Sequence, residues 1–360
     1  MKRLALITNL PFWYPGAGDR TRVLALVAYF SRKYTLSVIV LRRPGAWGKE
    51  HEEQSPYFRN CFSENPVDLT ILSLEADAKA EVKRTLFRSN AEAVIFVHLH
   101  LVEFLPSVPP HVRTLIDVID LLSERSKTHQ DVGKTSGNTL SFDQEAGYLD
   151  KFDAMIAIKE VDYQILEERF GEERVILSPP AVRLPRQQIR EKAGVIGFVS
   201  GNADPNYWAI QDFIENVWPH VKTPELELRI FGPIAERLEA SPEQNIKTFG
   251  FFEIVDAIYQ QIDIVLNPVT VGAGIKLKSI EALVSGLPLV TSEHSAEGLN
   301  GEHGKTYFVA GTPVEFQTHL RTLAGSYGTR LKVGEAGYDL AQKYFSPEAC
   351  FASLDDFLAE

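Results

Sequence analysis

Asn267 to Gly286 reads NPVTVGAGIKLKSIEALVSG. An apolar run ends at Asn267 and Pro268, a turn carrying Gly272 and Gly274 follows, and a helical apolar period runs from Ile275 to Ser285. Gly286 then suits the left-handed position just past a helix. The helix carries Lys276 and Lys278 in its first turn, where the positive end of the helix dipole disfavours cations. An anion bound at that end reverses the cost. The glycines let a phosphate approach backbone N–H groups and the lysines add charge, an arrangement that suits a diphosphate. Glu281 lies one turn beyond Lys278, where a carboxylate can accept hydrogen bonds from paired hydroxyls such as those of a ribose. The same string also reads as an ordinary strand, turn and helix with solvated lysines, and taken alone it does not separate the two readings.

The strand-helix rhythm extends in both directions. Apolar, β-rich runs at Leu4–Thr8, Leu36–Leu41, Leu69–Leu74, Ala93–Val97, Arg113–Asp117 and Ala154–Ile158 alternate with helical patterns such as Thr21–Arg32. Continuous apolar strands separated by helices indicate an α/β fold with a parallel sheet covered on both faces. Leu177–Arg190 (LSPPAVRLPRQQIR) breaks the rhythm with prolines and basic residues. The rhythm restarts at Val195–Ser200 and continues through Leu226–Phe231, Ile246–Phe249, Ile262–Asn267, Pro288–Thr291 and Tyr307–Val309. The expected organisation is an N-terminal domain over 1–180, a linker over 181–193, a C-terminal domain over 194–345 and a final helix over 346–360. That helix has Ser346 as N-cap, Pro347 in its first position and an apolar stripe including Phe351, Leu354 and Phe357.

Composition limits the function classes. The chain has 360 residues, enough for two domains with separate cores. Its formal net charge of -11 argues against general nucleic-acid binding, which needs a basic face. Cys61 and Cys350 are the only cysteines, which disfavours a disulfide framework or a cysteine-rich metal site. The N-terminal MKRLALITNLPFWYP is broken early by Asn9, Pro11 and Pro15, so it reads as a first strand and not as a signal peptide. No apolar run approaches the roughly 20 residues of a membrane helix. A soluble, cytoplasmic protein is expected. The basic pairs Arg32-Lys33 and Arg42-Arg43 leave peripheral contact with a membrane open.

Several C-terminal segments together resemble one known family. Residues 197–221 (GFVSGNADPNYWAIQDFIENVWPHV), 228–233 (LRIFGP), 246–253 (IKTFGFFE) and 271–299 (VGAGIKLKSIEALVSGLPLVTSEHSAEGL) are similar to the nucleotide domain of retaining nucleotide-sugar glycosyltransferases, family four of the GT-B fold (glycosyl transferases group 1). The N-terminal half is similar at 15–22 (PGAGDRTR), 115–127 (LIDVIDLLSERSK) and 152–166 (FDAMIAIKEVDYQIL). The resemblance implies two Rossmann-like domains facing a cleft, with the last helix returning to the N-terminal domain. It also implies a UDP-, GDP- or TDP-type sugar donor, a glycan or lipid-linked acceptor, retention of configuration, and no metal or other cofactor. Donor contacts fall by resemblance on Gly16, Gly18, Ser200, Phe249, Gly250, Gly272, Gly274, Ile275, Lys276, Lys278 and Glu281. Many members carry a further glutamate at the position of Ala273, so backbone near Gly272 to Ile275 is expected to replace that contact.

On the acceptor side the candidates are Asp120 and His98, each placed at a strand end; Lys276 joins them as the group that meets charge developing on the leaving diphosphate. Asp120 also reads as a helix N-cap, and His98 and His100 as satisfied strand-end histidines. Arg20 or Arg22 faces the ligand in one reading of the glycine loop and lies on a plain surface turn in the other. Two further functional readings compete with the transferase: a nucleotide-sugar epimerase of the same fold, and a degenerate, non-catalytic binding module.

Overall fold

The central apolar runs form parallel strands because they are buried on both faces and each is joined to the next by a crossover, while the run Asp68–Ser73 is only partly buried. A computed structural model describes residues 2–14, 18–43, 45, 56–75, 77–124, 140–250, 252, 255–272 and 277–360. The chain divides into two compact units: Met1–Tyr14, Gly18–Pro179 and Phe351–Glu360 in unit 1, and Pro180–Cys350 in unit 2.

Unit 1 has strands β1 (Arg3–Thr8), β2 (Thr35–Arg42), β3 (Asp68–Ser73), β4 (Ala93–Val97), β5 (Arg113–Val118), β6 (Ala154–Ala157) and β7 (Val175–Leu177). They pair in the order β3-β2-β1-β4-β5-β6-β7, all parallel. Helices α1 (Gly18–Phe30), α2 (Pro56–Glu64), α3 (Ala78–Ser89), α4 (Phe142–Leu149) and α5 (Glu160–Phe170) belong to this unit. Val82, Leu86, Phe96, Phe104, Phe152 and Leu166 centre one core.

Unit 2 has strands β8 (Val195–Val199), β9 (Glu227–Phe231), β10 (Ile246–Phe249), β11 (Ile264–Asn267), β12 (Leu289–Ser292) and β13 (Phe308–Ala310), in the order β10-β9-β8-β11-β12-β13. Its helices are α6 (Asp204–Asn216), α7 (Trp218–Val221), α8 (Val255–Tyr259), α9 (Leu277–Val284), α10 (Glu293–Ala296), α11 (Pro313–Gly325) and α12 (Tyr327–Phe345). Phe198, Phe213, Trp218, Ile230, Leu266 and Leu320 lie in its core. Helix α13 (Pro347–Ala359) starts in unit 2 and from Phe351 belongs to unit 1. There the Phe351 ring lies 5.0 Å from that of Tyr29, and Lys33 pairs with Asp355. The expected α/β class, with two parallel sheets and a last helix returning to the first unit, is the observed one.

The proline-rich stretch 181–193 has no regular secondary structure and is tied to unit 2. The buried Arg330 guanidinium donates to the carbonyls of Arg190 (3.0 Å) and Glu191 (2.8 Å). The Asp263 carboxylate accepts from Arg190 at 2.7 Å and from the N–H groups of Gly194 and Val195 at 2.8 and 2.9 Å.

Arg22 does not lie on a surface turn. Its side chain is 2% exposed and pairs with the fully buried Asp117 at 3.0 Å. It also donates to Pro179 O (2.9 Å) and Ser178 Oγ (3.2 Å), and lies over the Phe351 ring. One guanidinium therefore holds α1, β5 and both places where the chain leaves and re-enters unit 1. Loss of one partner from a buried pair strands the other charge. Arg22→Met is expected to cost about 3–5 kcal/mol in urea unfolding. Adding Asp117→Asn to that background should recover part of the loss, because it removes the stranded carboxylate.

Candidate functional site

In open parallel sheets ligands collect beyond the carboxyl ends of the strands, where the strand order reverses. In unit 2 the reversal lies between β8 and β11. Ser200 follows β8, Asn267 ends β11, and α9 begins ten residues further on, at Leu277. Lys278 closes the reversal point. Its ammonium donates to Ser200 Oγ at 3.0 Å and to Asn206 Oδ1 at 2.8 Å, and lies 4.9 Å from the centre of the Phe198 ring. Both of these hydrogen-bond acceptors are neutral, so the ammonium is oriented by them without its charge being cancelled by them.

The loops around it are packed tightly. Gly232 has φ +95°, and a Cβ there would stand 2.4 Å from Ser200 O, so this position requires glycine. Its N–H donates to Phe249 O and Gly250 O at 3.0 and 3.1 Å. The ends of β8, β9 and β10 are thus locked together. Phe249 stacks on Phe231, with ring centres 5.1 Å apart, and nothing lies within 4 Å of the point where a Cβ on Gly250 would stand.

A buried polar cluster anchors the turn that begins at Pro268. Asn267 Nδ2 donates to Ser279 Oγ (2.8 Å), Ser279 Oγ to Ser295 O (3.2 Å), and Ser295 Oγ to Val269 O (2.7 Å); Ser292 Oγ also donates to Val269 O. These bonds hold both arms of the glycine turn, since Asn267 and Val269 precede it and Ser279 follows it. Gly272 has φ +123°, and Gly286, at φ +69°, ends α9 in the left-handed region. Gly16, Gly274, Ile275 and Lys276 lie outside the described residues, as does Ala273.

Glu281 is half-buried on α9. Its Oε2 accepts from the Tyr259 hydroxyl at 2.7 Å. Among the described residues Oε1 accepts no hydrogen bond. Burial holds the carboxyl above its ordinary range, opposed by the Tyr259 hydrogen bond and the Lys278 charge. One oxygen is therefore fixed and the other is left for a donor. Tyr259 escaped the sequence reading. Its only signal there is a hydroxyl inside an apolar helix, which must find a partner when buried.

In unit 1 the strand order reverses between β1 and β4. Gly18, exposed, opens α1 after β1, and His98 follows β4. His98 has φ +80°, unusual for a residue with a side chain. The two histidines do not share the face of an extended strand: the chain turns at His98, and the His98 and His100 rings stack with centres 5.4 Å apart. Burial first, then the charges of His98 and Arg43, push the His100 imidazole down to about 4.

Asp120 is half-buried, beyond β5. The segment after it is clamped by the buried Glu145 carboxylate, which accepts from Leu122 N (2.8 Å), Ser123 N (2.9 Å) and Ser123 Oγ (2.7 Å). Asp162, on α5, is 1% exposed, with Lys159 Nζ 3.5 Å from Oδ1. Burial pushes its carboxyl up to about 6, Lys159 opposes this, and Asp120 adds to it. Asp162 was also missed, because an aspartate in the first turn of a helix ordinarily reads as a complement to the dipole. The structure thus groups Ser200, Lys278 and the loop ends in unit 2, and His98 and Asp120 at the carboxyl edge of unit 1. Among the described residues no group of three His, Cys, Asp or Glu side chains can hold a metal ion.

Comparison with known proteins agrees with this architecture. Residues 193–326 match the family model Glycosyl transferases group 1. A 44.6 kDa protein in the cps region of Klebsiella pneumoniae is 24% identical over 169 residues, a match spanning 44% of this chain and 42% of that protein. The chain therefore aligns with less than half the length of that relative. An S. aureus TarM variant in complex with fondaparinux, alpha-GlcNAc-glycerol and UDP superposes with a TM-score of 0.77 at 9% identity, covering 100% of both chains. The pneumococcal O-GlcNAc transferase GtfA in complex with UDP and GlcNAc gives a TM-score of 0.69 at 11% identity, covering 99% of both. The fold is that of the GT-B glycosyltransferases.

The buried Asp162 has a pH signature. Its folded pKa lies above the unfolded value, so its contribution favours folding at low pH and is lost as pH rises through about 6. Asp162→Asn is therefore expected to gain stability relative to the parent between pH 5 and pH 7.5, by up to roughly 2 kcal/mol. Chemical denaturation at the two pH values measures this, and an equal difference at both refutes the assignment.

Proposed function

We propose, from the match of residues 193–326 to the family model Glycosyl transferases group 1, that this protein transfers a sugar from a UDP-sugar to a glycan or lipid-linked acceptor, with retention and without a metal. The reading is carried by Lys278, which donates to Ser200 and Asn206 at the reversal point of unit 2, and by Glu281 on the same helix, whose Oε2 is held by Tyr259. Both structural neighbours named above are complexes with UDP, which favours the uridine donor over the GDP and TDP types. The cps-region relative supports a place in cell-surface polysaccharide synthesis.

In this mechanism the diphosphate lies against the turn at Gly272 to Lys276. Gly274, Ile275 and the start of α9 supply N–H donors, and Lys276 and Lys278 supply charge. Glu281 Oε1 accepts from the ribose hydroxyls while Tyr259 holds Oε2. The base borders Phe249 and Gly250. Glycosyl transfer passes through an oxocarbenium-like state, and negative charge grows on the departing diphosphate. Fixed cations and amides aimed at that charge lower the barrier without reorganising. Ser200 has its place here through Lys278, as the hydroxyl that aims the ammonium. Asp120 and His98 are assigned to the acceptor, and Gly16 and Gly18 are assigned to the donor by the resemblance. The leaving phosphate takes the acceptor's proton as the new bond forms on the same face.

A thermal-shift panel of UDP, GDP and TDP sugars tests the reading. A UDP-sugar at a hundred times its dissociation constant should add about 2.7 kcal/mol. Lys276→Ala combined with Lys278→Ala should remove most of that shift, and an undiminished shift would place the diphosphate elsewhere. Tyr259→Phe strips Glu281 of its positioning hydrogen bond and should weaken UDP binding about tenfold in a titration against the parent protein. Incubation with donor alone separates transfer from epimerisation: a changed sugar on the nucleotide rejects the proposal.

A further inference from the structure

Helix α3 (Ala78–Ser89) carries a surface that the donor and acceptor sites do not use. Its inner face, Ala78, Val82, Thr85 and Leu86, is buried against the unit 1 core. Its outer face presents Lys83, Arg84, Phe87 and Arg88, neighbours on one side of the helix by their spacing. Phe87 is 77% exposed, the highest value among the exposed large apolar side chains of the described residues. Arg84 pairs with Glu81 on the same helix, and Lys79 lies 3.8 Å from Glu103. Among the described residues Lys83 and Arg88 make no ion pair. The helix has four basic residues, Lys79, Lys83, Arg84 and Arg88, against one acidic residue, Glu81. It does so in a chain of net charge -11, so the positive charge is local.

We infer that this face of α3 docks unit 1 on an anionic lipid surface, with Phe87 entering the headgroup layer and Lys83, Arg84 and Arg88 resting on lipid phosphates around it. An exposed aromatic flanked by Lys83 and Arg88, which make no ion pair among the described residues, and by the Glu81-paired Arg84 matches both components of an interfacial surface: apolar burial at the centre and attraction to negative headgroups at the rim. A polyanion such as a nucleic acid would use the cations but leave the ring in water. A protein partner would need a larger apolar area than one side chain provides. The inference is independent of the transferase reading, since none of these residues lies at a strand carboxyl end.

The test is co-sedimentation of the full chain with phosphatidylcholine vesicles prepared with and without phosphatidylglycerol. Binding is expected only when phosphatidylglycerol is present, and it should weaken as salt is raised. Lys83→Gln, Arg84→Gln and Arg88→Gln together should lower the partition coefficient on the order of a hundred-fold. Phe87→Ser should also lower vesicle binding while leaving retention on heparin unchanged. The UDP thermal shift should persist in every variant, so failure here is distinct from failure of the donor site. Absence of binding to phosphatidylglycerol vesicles overturns the inference, as does equal binding by the triple variant and the parent. So does vesicle binding indifferent to Phe87→Ser, which identifies a general polyanion surface, or a Phe87-dependent dimer without vesicle binding.

Discussion

The site in unit 2 depends on holding one ammonium group at the point where the parallel sheet changes direction. Lys278 reaches from α9 to the loop after β8, and its bonds to Ser200 and Asn206 join two segments that are far apart in sequence. Parallel strands make such a junction available. Each strand ends on the same edge, and the reversal between β8 and β11 leaves a gap that no crossover helix fills. Those two acceptors orient the ammonium, and its charge also acts on the Glu281 carboxyl one turn along α9. Gly232 and the serine cluster around Val269 supply the rigidity beneath it, the first by letting two loops touch and the second by saturating buried carbonyls.

Unit 1 places a buried charge at a different point. Arg22 and Asp117 are sealed inside, and the guanidinium spends its remaining donors on Ser178 and Pro179. A buried guanidinium with fixed directions ties down several chain segments at once. Here it joins the helix after the glycine loop, the strand that leads to Asp120, and the segments where the chain departs and returns. The carboxyl edge of unit 1 is therefore set on a braced base. The charged groups above it, Asp120, Lys159 and Asp162, influence one another through a partly dry environment.

Local chemistry made much of this readable. The apolar runs at Leu36–Leu41 and Ala93–Val97 announce buried strands within a residue of their observed ends, and Leu226–Phe231 announces one by alternation, with Glu227 and Arg229 on its less covered face. Gly286 reads as a helix terminator because only a left-handed residue closes α9. Ser346 reads as an N-cap because its hydroxyl has the Ala349 N–H to accept from, and the structure has that bond at 3.3 Å. The three-residue strand β7 was not among the expected strands: its short apolar run stands directly before Pro179 and Pro180, which read as the start of the linker. Arg22 was misread for a related reason. A charged residue in a helical pattern ordinarily faces water, and nothing in its neighbours announces the distant Asp117 that makes burial tolerable.

By itself, then, the sequence determined the α/β class and the two strand series, since backbone conformation and apolar period are local properties. Tertiary structure decided which strands stand side by side, and so where the order reverses and which loop ends meet. It also decided the roles of Tyr259, Asn206 and Asp162, whose meaning comes from partners 22, 72 and 3 residues away at Glu281, Lys278 and Lys159. A hydrogen bond or a desolvated charge depends on distances in space, and burial is a property of the assembled core; neither is encoded at a single position of the chain.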